Sequence, residues 1–268
     1  LPIDPISPIT RVVRQRAIVA ALTRRELSAR YRGGALGYLW SLLNPLLLLG
    51  VYAVVFQLVF RPRADVAPYA LFLFGGILAW GFVSASLLDA AETFRAHGPL
   101  LRKTTAAPEV FPASAVAARL THLALALPVL LGAIAYFAWR GEARPTAALL
   151  QLPIVLALLA LAVFGLSLAV SSLSVIFGDV RDIVSNLLTL FFFLTPVLYP
   201  ASAVPERFRF ALWINPFAPF LTGVHACAFE FRAVAPAQWA QMAAVAAAAL
   251  LLGGAVFERL RDAVVEEA

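Results

Sequence analysis

Arg24-Arg25-Glu26-Leu27-Ser28-Ala29-Arg30-Tyr31-Arg32-Gly33-Gly34-Ala35-Leu36-Gly37-Tyr38-Leu39-Trp40-Ser41-Leu42-Leu43-Asn44-Pro45 is the stretch on which the reading of this chain turns. Its first half is basic and partly amphipathic. Its second half is apolar. Between them, Gly33-Gly34 allows a sharp change of direction, because glycine carries no Cβ. A cationic, amphipathic segment that runs into a long apolar helix is the pattern of an interfacial helix followed by a membrane span.

The remainder extends that pattern. The 268 residues are 62% hydrophobic and 13% charged, where a soluble domain carries about 25% charged residues. Long apolar runs recur, too uniform for the alternating strands of a barrel, so the fold class is all-α integral membrane. Toward the N-terminus, Pro2, Pro5 and Pro8 forbid regular helix over the first residues. Ser7 is a plausible N-cap, with Pro8 at the first helical position. Residues 9–31 then read as one or two basic amphipathic helices, and no cleavable signal peptide is expected. Toward the C-terminus, spans are expected near 36–60, 69–88, 110–139, 147–177, 183–199 and 239–257, six in all. Pro200, Pro205, Pro216, Pro219 and Pro236 break the stretch between the last two into pieces too short to cross, read as two short re-entrant or interfacial helices at about 205–231. Three regions follow: a cytoplasmic interface segment at 1–35, a transmembrane domain at 36–257 and a charged cytoplasmic tail at 258–268.

Charge sets the orientation. The net charge is +6, and seven arginines precede the first span. With both termini on the cytoplasmic side, thirteen basic residues fall inside against seven outside. The basic excess is thus read as topology and contact with anionic lipid, not as nucleic-acid binding.

Several chemistries are excluded. Lys103 is the only lysine and no glycine loop leads to it, so the chain has no P-loop for ATP. His97, His122 and His225 show no metal-ligand spacing, and no Gly-x-Ser-x-Gly or His-Glu-x-x-His occurs. No catalytic residue, metal site or cofactor is expected in this chain. What remains are anion and path candidates. Arg24, Arg25, Arg30 and Arg32, with Tyr31, stand at the cytoplasmic mouth as anion-site candidates, and arginine forks suit phosphate oxygens. The same arginines also fit lipid headgroups. Arg119 and His122 share one face of the third span. Arg119 either serves a path, snorkels, or pairs with Asp89 or Glu92; His122 either serves the path or packs. Phe191, Phe192, Phe193, Tyr199 and Trp213 offer faces for sugar rings or for lipid. Asp179 and Asp182 flank Arg181 in a short charged turn.

Three segments together resemble the permease subunits of ABC-2 type exporters, in particular those for polysaccharide, O-antigen or teichoic acid. They are the opening stretch through Asn44-Pro45; Leu100-Leu101-Arg102-Lys103 before Pro108-Glu109-Val110-Phe111-Pro112; and Thr195-Pro196-Val197-Leu198-Tyr199-Pro200 with Val204-Pro205-Glu206 and Ile214-Asn215-Pro216-Phe217. The resemblance implies a permease homodimer with two copies of a separate P-loop ATPase, which would bring ATP and Mg2+. It implies a lipid-linked glycan as substrate, a channel along the permease interface and a bacterial inner-membrane location. Contact with the ATPase is expected at the N-terminal helix and at Arg95, His97, Leu100, Leu101, Arg102, Lys103, Asp179 and Arg181. One departure stands out: Thr104-Thr105-Ala106-Ala107 lengthens the second segment relative to the family pattern. Competing readings are an ABC-2 exporter of a small molecule or lipid, a membrane enzyme acting on polyprenyl-linked sugars, and an ion-coupled carrier.

Overall fold

Helix starts at Ser7 because the chain before it folds back on itself. In the computed structural model, which describes residues 4–31, 40–55, 68–101 and 104–267, Asp4 accepts from the Ile6 amide at 3.0 Å. The helix α1 (Ser7–Arg14) has Ile6 at its N-cap and Pro8 in its first turn. Ser7 therefore does not cap, as its position suggested. It sits inside the helix and its hydroxyl donates to the Asp4 carbonyl at 2.8 Å. Gln15 breaks the segment, and α2 (Arg16–Tyr31) follows. The glycine pair and the first residues of the expected first span lie outside the described residues.

The remaining helices are α3 (Trp40–Val54), α4 (Tyr69–Leu101), α5 (Val110–Trp139), α6 (Leu152–Ile176), α7 (Val180–Leu194), α8 (Arg209–Ile214), α9 (Ala218–Ala228) and α10 (Pro236–Glu267). No strand occurs among the described residues. Four helical stretches there are long and apolar enough to cross a membrane: Tyr69–Gly98, Val110–Trp139, Ala147–Ile176 and Pro236–Glu266. The other two expected spans appear as α3 and α7, with 15 helical residues each. At 1.5 Å per residue the 15 residues of α7 measure roughly 22 Å, short of the ~30 Å hydrocarbon layer, while the described part of α3 adjoins residues outside the described ones at both ends.

Two helices outrun their expected ends. The second span was expected to end near residue 88, with loop before 110, but α4 continues unbroken to Leu101. Burial is the reason: Phe94 and Leu101 are in the core with Phe111, Leu168, Phe257 and Val264. The charged tail is likewise the last turns of α10, held by buried Phe257 and Val264. Against the roughly 30 Å layer, the 33 residues of α4 span about 50 Å, so one end stands clear of it.

The main core lies where α4, α5, α6 and α9 meet, around Phe74, Trp80, Leu130, Leu159 and Phe220. The two short helices expected between the last spans are present as α8 and α9. They differ in setting. Phe210, Trp213 and Ile214 of α8 are exposed, whereas α9 is buried along almost its whole length. The turn before it is ordered by the Asn-Pro-Phe segment: the Asn215 side-chain amide donates to Thr195 Oγ1 at 2.8 Å, and the Phe217 backbone amide donates to Asn215 Oδ1 at 2.9 Å.

The pair α6 and α10 cross at close backbone approach. A Cβ built on Gly165 would overlap the backbone at Ala249, and one on Gly253 would overlap the backbone at Gly165. Small residues let apolar helices approach where lipid gives no hydrophobic drive for association. Replacing Gly253 with Leu is therefore expected to abolish accumulation of monodisperse protein. Gly132→Ala, where open space surrounds the new Cβ, should leave it unchanged. Size-exclusion chromatography of detergent extracts with a fluorescent fusion reads both.

Candidate functional site: a braced helix end and a polar cavity

The projecting end of α4, the start of α5 and the two terminal helices form one polar assembly. Glu109, just before α5, has no exposed side-chain surface. It contacts Arg11 of α1, and Arg261 of α10 stands 3.7 Å away. Arg11 in turn contacts Glu258 of α10. Two arginines thus balance two carboxylates, which is the condition for keeping charge out of water. Neighbouring contacts fasten the same helices. The Ala107 amide donates to Gln15 Oε1 at 2.9 Å, and Ser114 Oγ donates to Glu26 Oε1 at 3.1 Å. Leu22 of α2 is buried with Phe94, Phe111 and Phe257. The amphipathic N-terminal segment is accordingly a brace on α5, beyond any contact with lipid. Arg24 and Arg25 remain exposed on it. The side chains of Arg30 and Tyr31, and all of Arg32, Arg102 and Lys103, lie outside the described residues.

The expected coupling residues fall in two sets. Arg95 and Arg181 come together across α4 and the turn before α7: Arg95 Nη2 donates to the Gly178 carbonyl at 3.0 Å, and Arg181 lies 2.6 Å from Glu92. Both members of the latter pair are half-exposed, so it contributes at most about 1 kcal/mol. Asp179 caps no amide with its side chain, although it occupies the N-cap position of α7. His97, Leu100 and Leu101 instead turn inward. His97 Nδ1 bonds the Thr93 carbonyl at 2.9 Å and its ring lies 5.5 Å from Phe111. Leu101 is buried and Leu100 packs beside it.

Deeper in the bundle, Arg119 of α5 pairs with Asp89 of α4 through two parallel bonds. Nε to Oδ2 is 2.5 Å and Nη2 to Oδ1 is 2.7 Å. This fork geometry is the strong form of the arginine–carboxylate pair. Arg119 and His122 line a cavity of about 650 Å³ between α3, α4 and α5, together with Trp40 and Asn44. A second cavity of about 590 Å³ follows along α3 and α5, lined by Leu46, Pro128, Tyr136 and other apolar groups.

The aromatic candidates do not act as one set. Successive residues on a helix point about 100° apart. Phe191 and Phe192 pack inward, edge-on to Phe217 at 5.5 Å and tilted against Trp80 at 6.0 Å. Phe193 and Trp213 are exposed, at 63% and 75%. Tyr199 donates its hydroxyl to the Phe193 carbonyl at 2.9 Å. Glu109, Gln15, Glu258, Trp40 and Asn44 are the positions that residue-type reasoning did not single out. A lone acid at the border of an apolar run was the available signal for Glu109.

Because Glu109 is wholly buried, Glu109→Leu leaves Arg11 and Arg261 with one negative partner fewer. The expected cost is ~3–5 kcal/mol, read as a lowered melting temperature of the purified protein. Combining it with Arg11→Leu should recover a large part of that loss.

Comparisons place this architecture. The family described as ABC-2 type transporter matches residues 18–229. An O-antigen export system permease protein of Myxococcus xanthus is 34% identical over 263 residues, covering 96% of this chain and 98% of that protein. An O-antigen export system permease protein of Klebsiella pneumoniae is 31% identical, with 76% and 77% covered. A polysialic acid transport protein of Escherichia coli is 26% identical, with 83% of each covered. A helical bundle with four apolar crossing helices, matched over most of its length by these relatives, belongs to the ABC-2 type transporter family.

Proposed function

We propose that this chain is the permease subunit of an ATP-driven exporter that carries a lipid-linked polysaccharide across the bacterial inner membrane. The observation that carries the reading is the end-to-end match to an O-antigen export permease, 96% of one chain against 98% of the other. The glycan cargo is drawn from that relative and from the polysialic acid transport protein. ATP hydrolysis is assigned to a separate P-loop subunit, since Lys103 has no phosphate loop around it.

In this reading α3 and α7 extend to complete six spans, both termini are cytoplasmic, and α8 and α9 stand at the exit. Two copies of the chain form the channel along their interface. The exposed apolar side of α7, with Leu187, Leu190 and Phe193, supports its placement there, because a second copy or lipid must cover it. The braced helix end is the docking platform for the ATPase. Rigid transmission is what that platform offers. Closure of an ATPase pair beneath Arg95 and Arg181 would push on α4, and the Glu109 cluster passes the push to α1, α5 and α10 as one body. Arg24, Arg25, Arg30 and Arg32, with Tyr31, form the cationic mouth for the pyrophosphate of the lipid-linked glycan.

Two outcomes are expected. Tagged protein purified in mild detergent from its own cells should bring down a stoichiometric P-loop ATPase, identified by mass spectrometry. Its absence even after crosslinking would contradict the proposal. In the same cells, Arg30→Ala with Arg32→Ala should lower surface glycan severalfold at unchanged permease abundance; normal export by that variant would remove these arginines from the mouth.

A further inference from the structure

We infer that the cavity between α3, α4 and α5 is a saccharide subsite, in which the ring of Trp40, the Asn44 amide and the Asp89-paired Arg119, set in a largely apolar wall, hold a short stretch of the glycan. The inference rests on the proposed function and assigns a cargo-binding place that the function alone does not specify.

The cavity has the volume of a small-ligand site. Its roughly 650 Å³ falls inside the usual range of about 300–1,000 Å³. Its position is also apt. Arg119 lies nine residues into α5, about 14 Å from the braced end, at 1.5 Å per residue. Cargo arriving from the platform side reaches it early.

The wall chemistry selects among ligands. Trp40 is 38% exposed, so part of its indole is open to a ligand. Asn44 supplies an amide that both donates and accepts. Arg119 and Asp89 are joined by two bonds of 2.5 and 2.7 Å, so their charges compensate each other. A phosphate would meet a guanidinium with two of its donors already committed and a carboxylate beside it. Charge repulsion and lost donors both count against it. An acyl chain would leave the Asn44 amide facing hydrocarbon, which costs free energy for an unpaired polar group. A pyranose fits both demands. Its C–H face lies on an aromatic ring, and its hydroxyls donate and accept around the rim. Neutral walls also suit a moving polymer, since a fully charged grip would hold it too tightly to release. The cavity farther along α3 and α5 has the Tyr136 hydroxyl as the one polar side-chain group in its lining, and no amide or charged pair.

Photocrosslinking in glycan-producing cells tests this. The photoreactive amino acid p-benzoylphenylalanine is placed at Leu78, which lines the cavity, and, as a control, at Leu125, which does not. Ile77, also on the wall, is a second position should the first fail to accumulate. After irradiation the protein is purified under denaturing conditions. Periodate oxidation and a hydrazide tag then mark any adduct bearing sugar diols, whatever the sugar. The expected result is a glycan adduct at position 78 at least about tenfold above that at 125. In the position-78 background, Trp40→Leu and Asn44→Leu should each reduce it severalfold, while Trp40→Phe keeps most of it. Glycan adducts no stronger at 78 and 77 than at 125 overturn the inference. So do adducts there with only lipid or a second copy of the chain, or glycan adducts indifferent to both substitutions. Surface glycan in the same strains separates the two levels. Normal export without a cavity adduct rejects the subsite alone. Surface glycan unchanged by deletion of the gene rejects the proposed function, and the subsite with it.

Discussion

A carboxylate with no exposed side-chain surface constrains the rest of this molecule. Arg11 and Arg261 stand beside Glu109, and Glu258 contacts Arg11 in turn. Those partners come from the first helix and the last. The demand for pairing therefore closes the chain on itself, and it does so at the start of α5. Everything assigned to the platform depends on this closure: the buried Leu22 and Phe257, the Gln15 contact with the 104–109 segment, and the unbroken run of α4 through Leu101.

The same rule operates deeper in the bundle, with a different result. Arg119 and Asp89 also satisfy one another, but beside an open cavity. At Glu109 compensation makes a rigid joint. At Arg119 it makes a polar wall without net charge. The close Gly165–Gly253 crossing of α6 and α10 stands apart from both and ties the end of the chain to the middle of the bundle.

Much of this architecture was legible in the residues. Apolar run length gave the membrane class and the four crossing helices, since lipid permits few alternatives. The prolines between 200 and 236 gave two short helices near their true places. The Arg119–Asp89 pair was one of three readings open for Arg119. What was not legible depended on distant partners. Glu109 is 98 residues from Arg11, and no local pattern links them. Residues 94–101 carry Gly98 and Pro99 and read as loop, yet burial of Phe94 and Leu101 overrides that local signal. The aromatic triplet was misleading for a geometric reason, because three consecutive helical residues cannot share a face. Phe191 and Phe192 fill the core and Phe193 faces out.

The most direct measurement is the location of the glycan in cells lacking this chain. Lipid-linked polymer is extracted from the inner membrane, and its sidedness is read by access of a periplasmic glycosidase or lectin in intact spheroplasts. The account predicts full-length polymer retained on the cytoplasmic face, with surface glycan restored by the wild-type gene. Polymer that reaches the outer face in the absence of the chain would contradict it.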